Sequence, residues 1–259
     1  MGLTSPLILI QARRGSTRLP NKVLADIGGQ SMIRRVYRRA ERIWPGAWVI
    51  VVCPANDELA FSHTMLTWPH PGPPEDVLSR YLRWGTAPIV RLTADCPLLD
   101  PGVSRLVLTE FYAQPAPWYV GATEAEGLDG LDTEVFSPDA IAWAAQYTQG
   151  AEREHVTRAM RRDPRARRVT LPGTPRLDWS IDTLDDLKWV REVYRQCAAC
   201  ADGTPHHMNA RGSIGGPRWQ LCLDLHHRPE GDLVECQAAD LLMQKTEPPA
   251  CGGYDGWAT

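Results

Sequence analysis

The segment Gln11-Ala12-Arg13-Arg14-Gly15-Ser16-Thr17-Arg18-Leu19-Pro20-Asn21-Lys22 brings four cations, two hydroxyls and a glycine together near the N-terminus. Arginine can grip phosphate oxygens through two parallel N–H donors, and lysine adds a point charge. Gly15 would let the backbone approach a ligand closely. A polyphosphate suits this chemistry; on composition alone an exposed basic loop suits it equally. The segment is neither GxxxxGK[ST] nor GxGxxG, so a P-loop ATPase and a dinucleotide enzyme both lose ground. Two acids could complement it. Asp95 closely follows the apolar stretch Ile89-Val90-Arg91-Leu92, where a carboxylate could ligate Mg²⁺. Asp182, in Trp179-Ser180-Ile181-Asp182-Thr183, could ligate a metal or cap the next helix. Asp100-Pro101 reads as a helix start, with Asp100 as cap and Pro101 at the first position.

These groups need elements to hold them. Leu7–Ile10 is a short unbroken apolar run, read as a strand buried on both faces. Ser31 can cap a helix whose apolar positions Met32, Ile33, Val36, Tyr37, Ala40 and Ile43 keep helical spacing, and Pro45-Gly46 ends it. Strands are expected at Trp48–Val52, Pro88–Leu92, Thr133–Phe136 and Trp179–Ile181. Helices are expected at Asp57–His63, Asp76–Trp84, Val103–Phe111, Pro138–Gln149, Glu152–Arg162 and from Thr183 to about Cys197. Pro69–Pro74 reads as a rigid connection. Strands alternating with helices predict an α/β fold with a mainly parallel sheet and helices on both sides. In such sheets ligands sit at the carboxyl ends of the strands, where the loop, Asp95 and Asp182 all fall.

Composition narrows the partners. A chain of 259 residues with 43% hydrophobic and 23% charged residues is an ordinary globular protein. Its longest apolar stretches are far too short to span a bilayer, and its start has neither a secretory-signal pattern nor a myristoylation pattern. A cytoplasmic protein is the expectation. A net charge of −3 gives no general case for nucleic acid or for anionic membrane. The distribution is uneven. Residues 1–42 hold nine bases against Asp26 and Glu41, whereas residues 121–140 hold six acids and no base. A small anionic ligand near the N-terminus accounts for Arg13 to Lys22, and a solvated helix face for Arg34 to Arg42. Arginine supplies 25 of the 28 cations, with Lys22, Lys188 and Lys245 the only lysines. Base composition of the genome explains that bias as readily as function does. Seven cysteines, five of them after residue 196, argue for free thiols and a late metal site rather than a disulfide framework.

The sequence resembles the cytidylyltransferase family that includes the CMP-sugar-acid synthetases and the spore-coat polysaccharide cytidylyltransferase-like proteins. The matching pieces are IQARRGSTRLPNKVL at 10–24, PEDVLSRY at 74–81, IVRLTADCPLLDP at 89–101, GLDTEVFS at 130–137, REHVT at 153–157 and SIDTLDDL at 180–187. They cover about residues 5–195. The resemblance implies a three-layer, Rossmann-like nucleotidyltransferase domain over residues 1–196, with a small extension at 197–259. It implies transfer of CMP from CTP to a sugar acid or related acceptor, with release of pyrophosphate. Gln11, Ala12, Arg13, Gly15, Ser16, Arg18 and Lys22 fall on its triphosphate loop, with Arg80 and Thr93 as further nucleotide contacts. Asp95 and Asp182 fall on its Mg²⁺ ligands, and Glu134 and His155 lie in pieces expected near the acceptor. Arg13, Lys22, Asp95 and Asp182 are thus the implied catalytic set, and a homodimer is the implied assembly.

Departures from the family pattern concern other positions. Cys53-Pro54 replaces a usual alanine-threonine pair, Gly121-Ala122 a serine-asparagine pair, and Asp178 a frequent arginine. Base and acceptor positions therefore drift while triphosphate and metal positions are kept. Two rivals follow: a sugar-phosphate or phosphonate acceptor, or an inactive nucleotide-binding scaffold. In the extension, Cys197, Cys200, Cys222 and His226 could hold a structural Zn²⁺. The alternative there is a reduced Cys/His-rich segment packed on the main domain.

Overall fold

Strand β1 (Leu7–Gln11) lies at the heart of the molecule, with Ile8, Leu9 and Ile10 wholly inaccessible to solvent. Burying each such side chain is worth about 2 kcal/mol, so the strand is pinned from both faces. The computed structural model describes residues 4–61, 65–72, 76–171, 176–196 and 246–247. Its remaining strands are β2 (Asp26–Ile27), β3 (Gln30–Ser31), β4 (Trp48–Pro54), β5 (Thr67–His70), β6 (Ile89–Thr93), β7 (Tyr119–Ala122), β8 (Leu128–Asp129), β9 (Thr133–Phe136), β10 (Ala166–Arg168), β11 (Arg176–Asp178) and β12 (Thr246–Glu247). The helices are α1 (Met32–Ala40), α2 (Glu58–Phe61), α3 (Ser79–Leu82), α4 (Pro101–Tyr112), α5 (Pro138–Tyr147), α6 (Arg158–Arg162) and α7 (Leu184–Gln196).

Seven strands form the main sheet in the order β10-β7-β9-β6-β1-β4-β5. All run parallel except β9, which is antiparallel to both β6 and β7. Alternation along β1 divides the core. Ile8 and Ile10 face α1, α4 and α7 through Met32, Val36, Val107 and Val190. Leu9 faces the other layer, where Tyr81, Ile141 and Met160 belong to α3, α5 and α6. This is the expected three-layer α/β architecture. Among the described residues no helix is long and apolar enough to cross a membrane.

Several local expectations are corrected. The supposed connection at Pro69–Pro74 begins inside β5, an edge strand, where a proline can sit without breaking a ladder on both sides. The expected helix over Asp76–Trp84 contracts to α3, and that over Glu152–Arg162 breaks into a 3₁₀ turn and α6. Arg153 explains the break. Its guanidinium holds Asp76 and the Ala145 carbonyl, and its own carbonyl accepts from Leu78 N, so the segment is tied down out of helical geometry. The strand expected at Trp179–Ile181 instead lies at Arg176–Asp178. Nor is Arg34 to Arg42 wholly a solvated face, since Arg35 and Arg39 are buried. Arg35 donates to the Ile27 and Gly28 carbonyls, and Arg39 to the Leu99 carbonyl.

Helix starts follow their side chains. Asp100 accepts from Gly102 N at 2.5 Å and Pro101 opens α4, as the sequence predicts. At α7, Asp186 accepts from the backbone N–H groups of Asp182 and Thr183, and the Thr183 hydroxyl accepts from Asp186 N. Thr183 and Asp186 therefore form the reciprocal cap, and the Asp182 carboxylate takes no part in it.

One charged cluster crosses the middle of the sheet. Arg91 on β6 and Glu134 on β9 are register partners and form an ion pair. The Glu134 carboxylate also accepts from Tyr119 Oη at 2.6 Å and Arg161 Nε at 2.8 Å. Burial would raise its pKa, but Arg91 and Arg161 outweigh burial and bring it down to about 2. Gly121 makes room for this arrangement, because a Cβ there would lie 2.3 Å from the Tyr119 hydroxyl.

Two stability measurements follow. Glu134→Gln should cost about 3 kcal/mol at neutral pH, because it leaves Arg91 without its buried counter-charge. A folded pKa of about 2 against an ordinary 4.5 means the stabilisation is complete above pH 4.5. It should drain away as pH falls toward 2. Denaturant midpoints for the two proteins that differ by the same amount at pH 3 and pH 7 would contradict this. Asp186→Ala should cost about 1 kcal/mol through loss of the α7 cap, read by the same method.

Candidate active site

The loop after β1 returns upon itself. Arg14 N donates to Asp57 Oδ2 at 2.8 Å, and Asn21 N donates to the Arg14 carbonyl at 3.1 Å. Asn21 is the one described non-glycine residue in the left-handed region, at φ 55°, and its side chain accepts from Arg14 Nε. This turn directs Lys22 inward at the base of the loop while Arg13 and Arg18 stay on its outside. Gly15 has open space at the position of a Cβ, so its backbone is accessible to an incoming group.

Lys22 is where the strand ends meet. Its side chain is only 9% exposed, and Nζ donates to Asp95 Oδ2 at 3.0 Å, Asp182 Oδ1 at 2.8 Å and the Ile181 carbonyl at 2.7 Å. Burial would lower the lysine's pKa, but Asp95 and Asp182 outweigh it and hold the ammonium above its ordinary value. Asp95 answers in kind. Burial pushes its carboxyl up, while Lys22 and the Thr93 hydroxyl bring the balance below the usual range. Arg18 adds a second cation, with Nη2 2.8 Å from Asp182 Oδ2. Backbone bonds fix the carboxylate-bearing turns: Ala94 N donates to the Gln11 carbonyl, and Ile181 N to the Asp95 carbonyl.

Gln11 lies just beneath. Its Oε1 accepts from Arg91 Nη2 at 2.9 Å and Tyr81 Oη at 3.2 Å, which couples the end of β1 to the Glu134 cluster. Ala12 is buried and donates to the Val52 carbonyl. Ser16 Oγ accepts from Leu19 N, inside the loop. Arg80 is buried on α3, where burial lowers its pKa. Arg13 is 3.6 Å from Glu154, which places the REHVT piece beside the N-terminal loop, and neighbouring His155 is exposed.

Lys22, Arg18, Asp95 and Asp182 are thus brought together, with Gln11 and Thr93 next to them. Glu134 is not exposed toward them; its carboxylate is enclosed by two guanidinium groups and a phenol. The suggested zinc ligands Cys197, Cys200, Cys222 and His226 lie outside the described residues. Among the described residues no cluster of three or more metal-type side chains occurs. Asp95 and Asp182 nevertheless fit a hard divalent cation, since oxygens of both converge with a backbone carbonyl on a single positive charge.

Sequence reasoning passed over two neighbours of the site. Asp132 accepts from Gly130 N and Glu124 N, and burial raises its pKa to about 7. Asp129 accepts from Ser180 Oγ at 3.0 Å, and burial raises it to about 6. Both belong to the acid-rich run at 121–140, which was the available signal. Arg91 was visible as a charge inside an apolar strand, a placement that demands a buried acid on an adjacent strand.

The cytidylyltransferase family pattern matches residues 7–59. Over 118 residues the chain is 38% identical to a 3-deoxy-manno-octulosonate cytidylyltransferase of Methylobacterium nodulans, covering 41% of this chain and 47% of that one. The chain spans about half the length of the curated relatives it matches. A cytidylyltransferase from Leptospira borgpetersenii has the same fold, with TM-score 0.64, 23% identity and coverage of 75% and 87% of the two chains. So does a CMP:2-keto-3-deoxy-manno-octonic acid synthetase solved with CTP, with TM-score 0.54, 20% identity and coverage of 74% and 99%. A Mycobacterium tuberculosis protein of this fold was solved with manganese, with TM-score 0.54, 15% identity and coverage of 73% and 99%. Part of the sequence and the fold are thus similar to those of cytidylyltransferases.

Proposed function

We propose that this protein is a divalent-metal-dependent cytidylyltransferase that transfers CMP from CTP to a sugar acid or related glycan precursor, in the cytoplasm. The observation that carries this reading is the meeting of Lys22 and Arg18 with Asp95 and Asp182 at the carboxyl ends of parallel strands. Loop cations that can hold phosphates stand beside carboxylates that can hold a metal. That pairing serves phosphoryl chemistry and has little use in a simple binding module.

The reaction needs positioning more than acid–base work. An acceptor oxygen attacks the α-phosphorus in line, and the bond from that phosphorus to the pyrophosphate oxygen breaks. Arg13 and Arg18, both mostly exposed, can swing onto β- and γ-phosphate oxygens and stabilise the leaving pyrophosphate. Lys22 can add its charge from below. Gln11, held by Arg91 and Tyr81, fixes the floor of the nucleotide site. Asp95 and Asp182 would hold Mg²⁺, which when bound neutralises charge on the phosphate oxygens and eases deprotonation of the acceptor. Glu134 serves here by anchoring Arg91 and Arg161 rather than by touching the acceptor.

Pyrophosphate release is the decisive measurement, taken across the four nucleoside triphosphates with a panel of sugar acids and phosphorylated acceptors. Release with CTP and a sugar acid is expected. CTP binding without turnover on any acceptor would favour a scaffold instead. Asp95→Ala should reduce turnover by about a hundredfold or more with the fold retained, and near-normal release in that variant would sink the metal assignment.

A further inference from the structure

The cage around the Lys22 ammonium has the composition of a hard-cation site. Two carboxylate oxygens and one backbone carbonyl point at a single atom, all within 3.0 Å. Carboxylates and backbone carbonyls are the donors that ions of the Mg²⁺ and Mn²⁺ type take. Arg18, from the same loop, occupies the second oxygen of Asp182. The loop read as the triphosphate cradle therefore already neutralises the carboxylates read as metal ligands. Residue choice sharpens the point. In a chain where 25 of 28 cations are arginine, this position is lysine. A planar guanidinium cannot sit at one point shared by three oxygens, whereas a compact ammonium can.

Resting on the function proposed above, we infer that Lys22 is a built-in competitor for the metal. Without nucleotide it occupies the place between Asp95 and Asp182. It yields that place when a triphosphate draws Lys22 and Arg18 onto its own oxygens. A free divalent cation approaching the empty-handed enzyme meets carboxylates that are already neutralised, and an ammonium that repels it. With the triphosphate present, the same two cations have new anionic partners and the carboxylates are released. Metal thus enters with the nucleotide rather than before it. By linkage the two ligands raise each other's affinity equally, and Lys22 is one source of that coupling.

The test measures binding of Mn²⁺ to the 259-residue chain, read from the electron paramagnetic resonance signal of the free ion, with and without CTP, after subtracting the Mn²⁺ that CTP holds in a protein-free titration. Lys22→Met removes the charge, and Lys22→Gln removes it while keeping a donor for the Ile181 carbonyl. Without nucleotide, both should bind Mn²⁺ roughly tenfold tighter than wild type, and CTP should tighten Mn²⁺ by a smaller factor than in wild type. A lysine that merely braced the fold would give weaker or unchanged Mn²⁺ binding when replaced. Arg18→Ala, at an exposed position, keeps the test available if the Lys22 variants do not fold. It should raise nucleotide-free Mn²⁺ affinity by a smaller factor, and no rise would count against competition. Wild type binding Mn²⁺ alone as tightly as the variants overturns the competitor role and leaves the metal reading standing. Absence of Mn²⁺ binding to wild type even with CTP overturns both.

Discussion

The ammonium of Lys22 is the constraint on which the site depends. It joins segments 73 and 160 residues away in the chain, and it does so from a side chain only 9% exposed. A buried ammonium with no counter-charge would cost several kcal/mol, and two carboxylates facing each other without a cation would repel. Each group is tolerable only because the others are present. The three strand-end loops therefore form one electrostatic unit. Asp182 can belong to it because Thr183 and Asp186 relieve it of capping α7.

Beneath that unit lies a second polar cluster. Parallel registry sets Gln11 beside Thr93 and, two residues back, Leu9 beside Arg91, so alternate side chains of β1 and β6 lie on one face. From that face Arg91 reaches both Gln11 and Glu134. The antiparallel insertion of β9 matters here, since it carries Glu134 opposite Arg91 and Gly121 at once. A sheet interior with a charge in it is stable only when every member of the network is satisfied. Tyr81, Tyr119 and Arg161 complete it from α3, β7 and α6. The floor beneath the Lys22 cage is braced by the same network that braces the sheet.

How much of this could be read from residues alone varied with the range of the forces. The apolar runs at β1 and β4, and that of β6 interrupted by Arg91, were legible because burial on both faces leaves a local signature. The Asp100-Pro101 start of α4 was legible because capping is decided within three residues. β5 was not, since Pro69 reads as a breaker until the strand is known to be an edge. The helix expected over Glu152–Arg162 had adequate local propensity, and it failed because Arg153 makes tertiary bonds to Asp76 and Ala145. At Asp182 the sequence left capping and metal binding level. Asp186, four residues on, takes the capping role with Thr183 and leaves the Asp182 carboxylate out of it. The loop cations and the two aspartates were visible as types. Their meeting at Lys22 was not, because Asp95 follows a strand of the main sheet and Asp182 follows a strand of a separate small one.

Charge asymmetry along the chain takes on a different meaning in three dimensions. The surplus of bases before residue 43 suggested a field that attracts anions, yet Arg35 and Arg39 turn inward to backbone carbonyls. The acidic run after residue 120 is likewise partly consumed: Glu134 is locked in ion pairs, and burial raises the carboxyls of Asp129 and Asp132 to about 6 and 7. Part of each surplus is therefore spent inside the fold. In the loop after β1 the exposed cations are Arg13, Arg14 and Arg18, with the side chains of Arg13 and Arg18 57% and 65% exposed. Such charges act on an anion only at short range, because at physiological ionic strength their field is largely screened beyond about 8 Å. Recognition at this site accordingly rests on contact with the loop rather than on the chain's net charge.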